Sequence, residues 1–299
     1  METSFNERLM DVIAMLPRRI SGILAACEFD SPVEEIRLRV ARPPQIVTAK
    51  NEKIINGVTF SKSEARELLE RLCRHSVYAC EDELRRGFVT LEGGARVGVC
   101  GRPVTENGNI IKLTDITCFN IRITREAVAC AEGIMGSLLE NGRIVSTLIA
   151  APPGGGKTTL LRDITRCISN GIGVPSAKVA LVDERGEIAG CVDGIPSFDI
   201  GSRTDIMELA PKSKAISMFV RTMSPDVIIT DEVGGAEDAE AIAEAARCGT
   251  SIIASAHAST YDELLKRESL VGIVNTGVFR RILLLKRSGS KLKITPIRI

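Results

Sequence analysis

Four short apolar runs in the second half of the chain constrain its fold more than any other feature. They are "RIVSTLIAA" (143–151), "AKVALVDE" (177–184), "PDVIIT" (225–230) and "TSIIASA" (250–256). Each is apolar almost without alternation, as expected of a strand covered on both faces. The segments between them are long enough for helices. One carries Ala239, Ile242, Ala243 and Ala246 at i, i+3, i+4 and i+7 and is closed by Gly249, which predicts one apolar helix face. Buried strands alternating with helices predict an α/β unit with a mostly parallel sheet. Ligands on such sheets bind beyond the carboxyl ends of the strands. The residues that follow each run are therefore where chemistry is expected.

Residues 1–125 read differently, as a smaller α+β domain preceding the α/β domain at 126–299. Phe5, Leu9, Val12, Ile13 and Leu16 have helical spacing, and Pro17 ends that helix. Ser61 is placed to cap a second helix with Glu64 as its reciprocal partner, ahead of an apolar face of Ala65, Leu68, Leu69 and Leu72. "EEIRLRV", "PQIVTA", "GFVTLEGGARVGVCG" and "CFNIRI" predict strands joined by hairpins. No catalytic constellation stands out in this half.

The composition excludes several function classes. A net charge of +1 gives no global basic field for nucleic acid or an anionic membrane. Aromatic residues are 3% and Trp is absent, which removes most stacking surface for single strands. The nine cysteines are odd in number and show no CxxC spacing, and acids interrupt "METSFNERLMDVIAML". These cues predict reduced thiols in a cytoplasmic protein without a signal peptide. No apolar run approaches the roughly 20 residues of a spanning helix, so any work at a membrane is expected to go through partners.

The chemistry follows the strands. "APPGGGKT" (151–158) fits the phosphate-loop pattern except at its first position, where Ala151 replaces Gly. Gly154, Gly155 and Gly156 let backbone N–H groups turn toward phosphate, and the next helix offers its N-terminus to the same anion. Lys157 is placed for the β- and γ-phosphates and Thr158 for Mg²⁺. The candidate nucleotide-binding residues are Ala151, Pro152, Pro153, Gly154, Gly155, Gly156, Lys157, Thr158 and Thr159. "DVIITDE" (226–232) ends in two acids, with Asp231 expected beside the metal and Glu232 beside the attacking water. Two consecutive acids favour hydrolysis over transfer to another acceptor. "VALVDERGE" places Asp183, Glu184 and Glu187 past another strand, as catalytic acids or as a solvated charge cluster. "IIASAHAST" places His257 past a fourth, as a γ-phosphate sensor or as a satisfied core histidine.

A phosphate loop, an acid cluster, Asp-Glu and His, in that order after successive strands, resemble the ATPases of type II and type IV secretion and pilus motors. The run "RTMSPDVIITDEVGGAEDAEAI", with "GIPSFDIGSRTD" upstream and "FNIRI" before it, is closer still to the stage III sporulation AA family of endospore-forming bacteria. The resemblance is strong over about 120–260 and looser before that. It implies a RecA-like P-loop NTPase fold, ATP and Mg²⁺ as ligands, and a homo-oligomer in the form of a hexameric ring with ATP bound between neighbours. It also implies integral membrane proteins of a sporulation channel as partners, and a place at the inner face of the membrane. The N-terminal domain would supply arginines, with Arg96 in "GARVGV" and Arg122 in "FNIRI" as positional candidates; for either, the alternative is a surface arginine. Asp183 stands where the secretion pattern has Glu, and Arg185 where it has Pro. Relatives with a C-terminal module for single-stranded nucleic acid extend past "KLKITPIRI", so no such module, and no nucleic-acid partner, is expected.

The leading expectation is thus an ATP-hydrolysing motor for a membrane channel formed during sporulation. A nucleic-acid-stimulated RecA-like ATPase is the competing reading, and a nucleotide switch without useful turnover is a third. No LSGGQ-like signature supports ABC-type transport.

Overall fold

The structure is a computed structural model that describes residues 2–48, 50–74, 76, 80–91, 96–123, 128–266, 268–288 and 291–298. Two compact units, Met1–Arg125 and Glu126–Ile299, make up the chain.

In the first unit, α1 (Glu2–Met15) and α2 (Arg18–Ala25) lie on either side of Pro17. Pro17 ends one helix and, with φ −52°, occupies the N-cap position of the next. Leu9, Val12, Ile13 and Leu16 of the expected face are buried, and Ile20 and Leu24 of α2 join them; the Phe5 side chain lies outside the described residues. β1 (Val33–Arg39), β2 (Gln45–Thr48) and β3 (Glu52–Ile54) are followed by α3 (Lys62–Leu72), α4 (Glu81–Arg85), β4 (Phe88–Thr90), β5 (Arg96–Glu106) and β6 (Asn109–Arg122). The six strands form one antiparallel sheet in the order β3-β2-β1-β6-β5-β4. The strand expected from Phe88 to Gly101 falls partly on residues 92–95, outside the described residues. β5 and β6 extend further than expected because Asn107 and Gly108, at φ 50° and 80°, make a tight hairpin turn.

The Ser61 cap forms as predicted. Ser61 Oγ accepts from Glu64 N at 3.2 Å, and Ser61 N donates to Glu64 Oε2 at 2.8 Å. Arg19 adds a two-pronged contact to the same carboxylate at 2.9 and 2.8 Å, tying α2 to α3. Burial alone would raise the pKa of Glu64, but the donors from Arg19 and Ser61 hold it below its ordinary value.

The second unit begins with a 3₁₀ turn (Glu132–Leu138) and a small ribbon of β7 (Leu139–Glu140) and β8 (Arg143–Ile144). β9 (Thr147–Ala151), α5 (Lys157–Asn170), β10 (Val179–Asp183), β11 (Thr204–Glu208), α6 (Lys212–Thr222), β12 (Val227–Thr230), α7 (Ala236–Arg247) and β13 (Ser251–His257) follow. α8 (Tyr261–Lys266), α9 (Glu268–Asn275), β14 (Arg281–Ser288) and β15 (Lys291–Arg298) complete it. The sheet order is β11-β10-β12-β13-β9-β14-β15, with every pairing parallel except β14–β15.

All four expected runs are strands, and each is buried on both faces. Ile149, Leu181, Ile229 and Ile253 pack with Leu160, Leu161 and Ile164 of α5. Their neighbours Leu148, Ala180, Ile228 and Ile252 pack with Ile216 and Phe219 of α6 and Ile242 of α7. The sheet has three further strands that the apolar-run criterion missed. β11 ("TDIME") and β15 ("KLKITPIR") are edge strands, and edge strands keep polar residues. One helix face also differs: α7 buries Ala241, Ile242 and Ala245, whereas Ala239, Ala243 and Ala246 are half-buried. A helix so rich in alanine gives periodicity little to distinguish its faces. All nine cysteines are free thiols, and burial pushes those of Cys130 and Cys191 up to about 12.

Candidate functional site

At the carboxyl end of β9 the chain turns through residues 152–156 into α5. Its glycines answer two different demands. Gly154 and Gly156 have φ +70° and +88°, which side chains disfavour. A Cβ on Gly155 would stand 2.7 Å from Ala151 Cβ and 2.9 Å from the Pro152 oxygen. Gly156 is the N-cap of α5 and makes no side-chain cap bond, so the first N–H groups of the helix face outward as donors for an anion. Pro152, Pro153 and Gly154 are exposed, Ala151 is buried, and Thr158 and Thr159 are half-buried on the first turn.

Lys157 is buried, and its Nζ donates to the oxygens of Ala151 at 3.1 Å and Pro152 at 3.3 Å. It also stands 2.8 Å from His257 Nδ1. Burial lowers the Lys157 pKa below its ordinary value, while the charge of Glu232 pulls the other way. His257 Nε2 contacts the Glu232 carboxylate, and Arg185 Nη2 reaches the same carboxylate at 2.8 Å. Sheet order explains this chain of contacts. β13 lies between β9 and β12, so a residue at its end spans from the loop lysine to the acid.

A second cluster surrounds Asp231, which burial raises to about 6 against the opposing charge of Lys212. Lys212 opens α6, is 3% exposed, and stands 3.3 Å from both Asp231 Oδ1 and Glu184 Oε2. It also donates to the backbone oxygen of Glu232. By geometry Asp231 Oδ1 and Thr230 Oγ1 are both buried without a hydrogen bond, although Lys212 stands 3.3 Å from the first. A buried carboxylate oxygen at this strand end suits a hard cation or its bound water. Among the described residues no group of three or more His, Cys, Asp or Glu could hold a metal by itself. Mg²⁺ fits this arrangement, since it is commonly held by one or two carboxylates together with substrate phosphates.

The structure thus brings together Lys157, His257, Glu232, Asp231 and Glu184. Asp183 does something else. Fully buried, it accepts from the backbone N–H groups of Glu187, Ile188 and Ala189 at 2.8, 2.9 and 2.9 Å, so its carboxylate organises the turn after β10. Glu187 and Ile188 give their carbonyls to Arg162, whose guanidinium lies 3.7 Å from the Phe198 ring centre. Arg96 and Arg122 belong to the first unit. Arg96 stacks on Phe88 at 4.3 Å, and the exposed Arg122 lies 3.8 Å from Glu35.

Sequence reasoning missed Lys212 altogether and noted Arg185 only as a departure from pattern. The clue to Lys212 was weak: Pro211 marks a helix start, and a lysine is the wrong charge for a first helical turn. A groove of about 750 Å³ opens at the opposite rim of the sheet among Arg143, Arg247 and Arg280, and no predicted site residue lines it.

The chain is 42% identical over 257 residues to "Stage III sporulation protein AA" of Bacillus subtilis (strain 168), covering 86% of this chain and 83% of the relative. The fold is similar to that of the Legionella pneumophila ATPase DotB, with a TM-score of 0.61 and 16% identity over 88% of this chain and 76% of that one. It is also similar to the pilus retraction motor PilT with bound ADP, with a TM-score of 0.60 and 14% identity over 89% of this chain and 79% of that one. The chain therefore shares its fold with these two proteins. The family described as "Sporulation stage III, protein AA" matches residues 6–298, and the chain belongs to that family.

Proposed function

We propose that the chain hydrolyses MgATP and acts as the motor of a membrane-associated complex during sporulation. The observation that carries this reading is the convergence of a glycine-built phosphate cradle, a buried lysine and an Asp-Glu pair at one end of a parallel sheet. The loop N–H groups and Lys157 bind the β- and γ-phosphates. Thr158 and Asp231 would hold the magnesium ion, which neutralises charge that develops on the phosphate oxygens. Glu232 accepts the proton of the attacking water, and His257 holds Glu232 in register with Lys157.

The motor reading draws on the family and on the fold shared with a pilus retraction motor. We further propose a hexameric ring of this chain, with Arg96 or Arg122 completing a neighbour's site. Integral membrane proteins of a channel would bring the ring to the inner face of the membrane. Among the described residues no helix is long and apolar enough to cross it.

The test is steady-state ATP hydrolysis by the full chain, with and without single-stranded DNA or RNA. Mg²⁺-dependent turnover that is lost in Glu232→Gln and indifferent to nucleic acid supports the motor. Turnover that requires nucleic acid would replace it with the competing reading. No turnover under any condition would leave a nucleotide switch.

A further inference from the structure

The register of the sheet creates an electrostatic problem. Val182 pairs with Thr230 on adjacent parallel strands, so Asp183 and Asp231 leave the strand ends side by side, with Glu184 next to them. The Asp183 carboxylate is solvated by three backbone N–H groups of the turn it organises, yet its charge adds to the effect of burial in raising the pKa of Asp231. Asp231 and Glu184 have no comparable set of N–H donors among the bonds described above. They share one buried ammonium, that of Lys212.

Lys212 sits where a lysine is disfavoured twice, in the first turn of a helix and almost wholly out of water. Such a placement is stable only where negative partners surround the charge. Here the partners are two carboxylates and the carbonyl of Glu232. That carbonyl belongs to the residue whose side chain takes the water's proton in the reading above. The next residue is also anchored, since Val233 N donates to Ser255 O at 2.8 Å on β13. The backbone on either side of the Glu232 Cα is thus held from two directions, by α6 and by β13.

We propose that Lys212 is a positioning residue for hydrolysis: it fixes the main chain at Glu232 and holds Asp231 and Glu184 side by side. The proposal rests on the ATPase reading. Lys212 acts through the groups it holds and needs no contact with nucleotide. Losing it should therefore misdirect Glu232 while leaving the phosphate cradle on β9 and α5 intact.

The experiment compares full-length wild type, Lys212→Met and Lys212→Gln. Lys212→Met keeps the length and apolar stem without the charge, and Lys212→Gln keeps a donor. Three quantities are read: kcat and KM for ATP, the affinity for a fluorescent non-hydrolysable ATP analogue with Mg²⁺, and hydrogen exchange at residues 229–234. The expected result for Lys212→Met is a fall in kcat of about 10- to 100-fold, the scale of a misplaced catalytic group. KM and analogue affinity should stay near wild type, and exchange at 229–234 should speed up while α5 exchanges as before. Lys212→Gln should retain part of the lost kcat; if Lys212→Met does not fold, the same split between kcat and affinity must appear in Lys212→Gln. Wild-type kcat in a folded variant would overturn the proposal. So would a parallel loss of kcat, affinity and α5 protection, which marks a purely structural role. If wild type neither binds the analogue nor turns over ATP, the ATPase reading itself falls and takes the proposal with it, a pattern unlike either of those outcomes.

Discussion

Nζ of Lys157 lies 2.8 Å from Nδ1 of His257 across 100 positions of sequence. Through His257, the lysine that would meet phosphate is joined to Glu232, the acid that would meet water. In the proposed reading, a γ-phosphate drawing on Lys157 would have to compete with this contact, which would couple nucleotide arrival to the placement of Glu232 through one imidazole.

His257→Ala should therefore separate binding from turnover. On the proposed reading the loop glycines and the α5 N-terminus would still hold phosphate, so the affinity for an ATP analogue should change little. Turnover should fall by about 100-fold, the lower range for loss of a proton-transfer arrangement. Steady-state kinetics decides: a raised KM with unchanged kcat would restrict His257 to substrate binding.

Gly155→Ala tests the cradle without touching any charge. The new Cβ meets Ala151 Cβ and the Pro152 oxygen below van der Waals contact, so the loop must shift. Overpacking of this kind costs about 1–3 kcal/mol, which the unit should survive. At a ligand concentration about 100 times its dissociation constant, wild type should gain about 2.7 kcal/mol of stability from MgATP. The variant should lose most of that gain in a thermal-shift assay, and an undiminished shift would show that the loop does not form the binding site.

Asp183 was expected among the catalytic acids, but its three backbone N–H partners point to a structural role. Asp183→Ala should lower stability in urea by on the order of 3 kcal/mol, because buried donors lose a charged acceptor. Any loss of turnover should follow the fraction unfolded. A variant as stable as wild type with no turnover would return Asp183 to the chemistry.

The pH dependence of the first unit should depend on Glu64. Its folded pKa lies below its ordinary value of 4.5, because Arg19 and Ser61 outweigh the effect of burial. A depressed pKa contributes stability above the unfolded value and loses it as pH falls through the folded one. The stability gap between wild type and Glu64→Gln should therefore be widest above about pH 5 and narrow as pH drops below 4.5. Denaturant titrations of both proteins at a series of pH values measure the gap directly. A constant gap would mean that Arg19 and Ser61 do not set the titration of Glu64.

The glycine loop, Asp231, Glu232 and His257 were legible in the sequence because each follows an apolar strand, and strand ends of a parallel sheet converge. The capping box at Ser61 was legible because both partners lie within one helical turn. Lys212 was not, since its partners come from β10 and β12 and no local pattern announces a buried ammonium. β11 and β15 were missed because edge strands keep polar residues, and the α7 face was read off-centre, with Ile242 buried but Ala239, Ala243 and Ala246 only half-buried, because alanines are tolerated on either side. Asp183 and Glu184, adjacent in sequence, have different partners in the structure, backbone N–H groups for the first and Lys212 for the second.

β9 is hydrogen-bonded to β13 on one side and to β14 on the other. Both neighbours lie far downstream, at Ser251–His257 and Arg281–Ser288. On the ribosome, the strand that carries the phosphate loop must wait for most of the second unit before its first edge is covered, and for nearly all of it before the second. Pairing between such distant segments is slow to form. A nascent chain would thus be unable to engage nucleotide early, and nucleotide present during synthesis should favour only the last step, the closing of the sheet around β9.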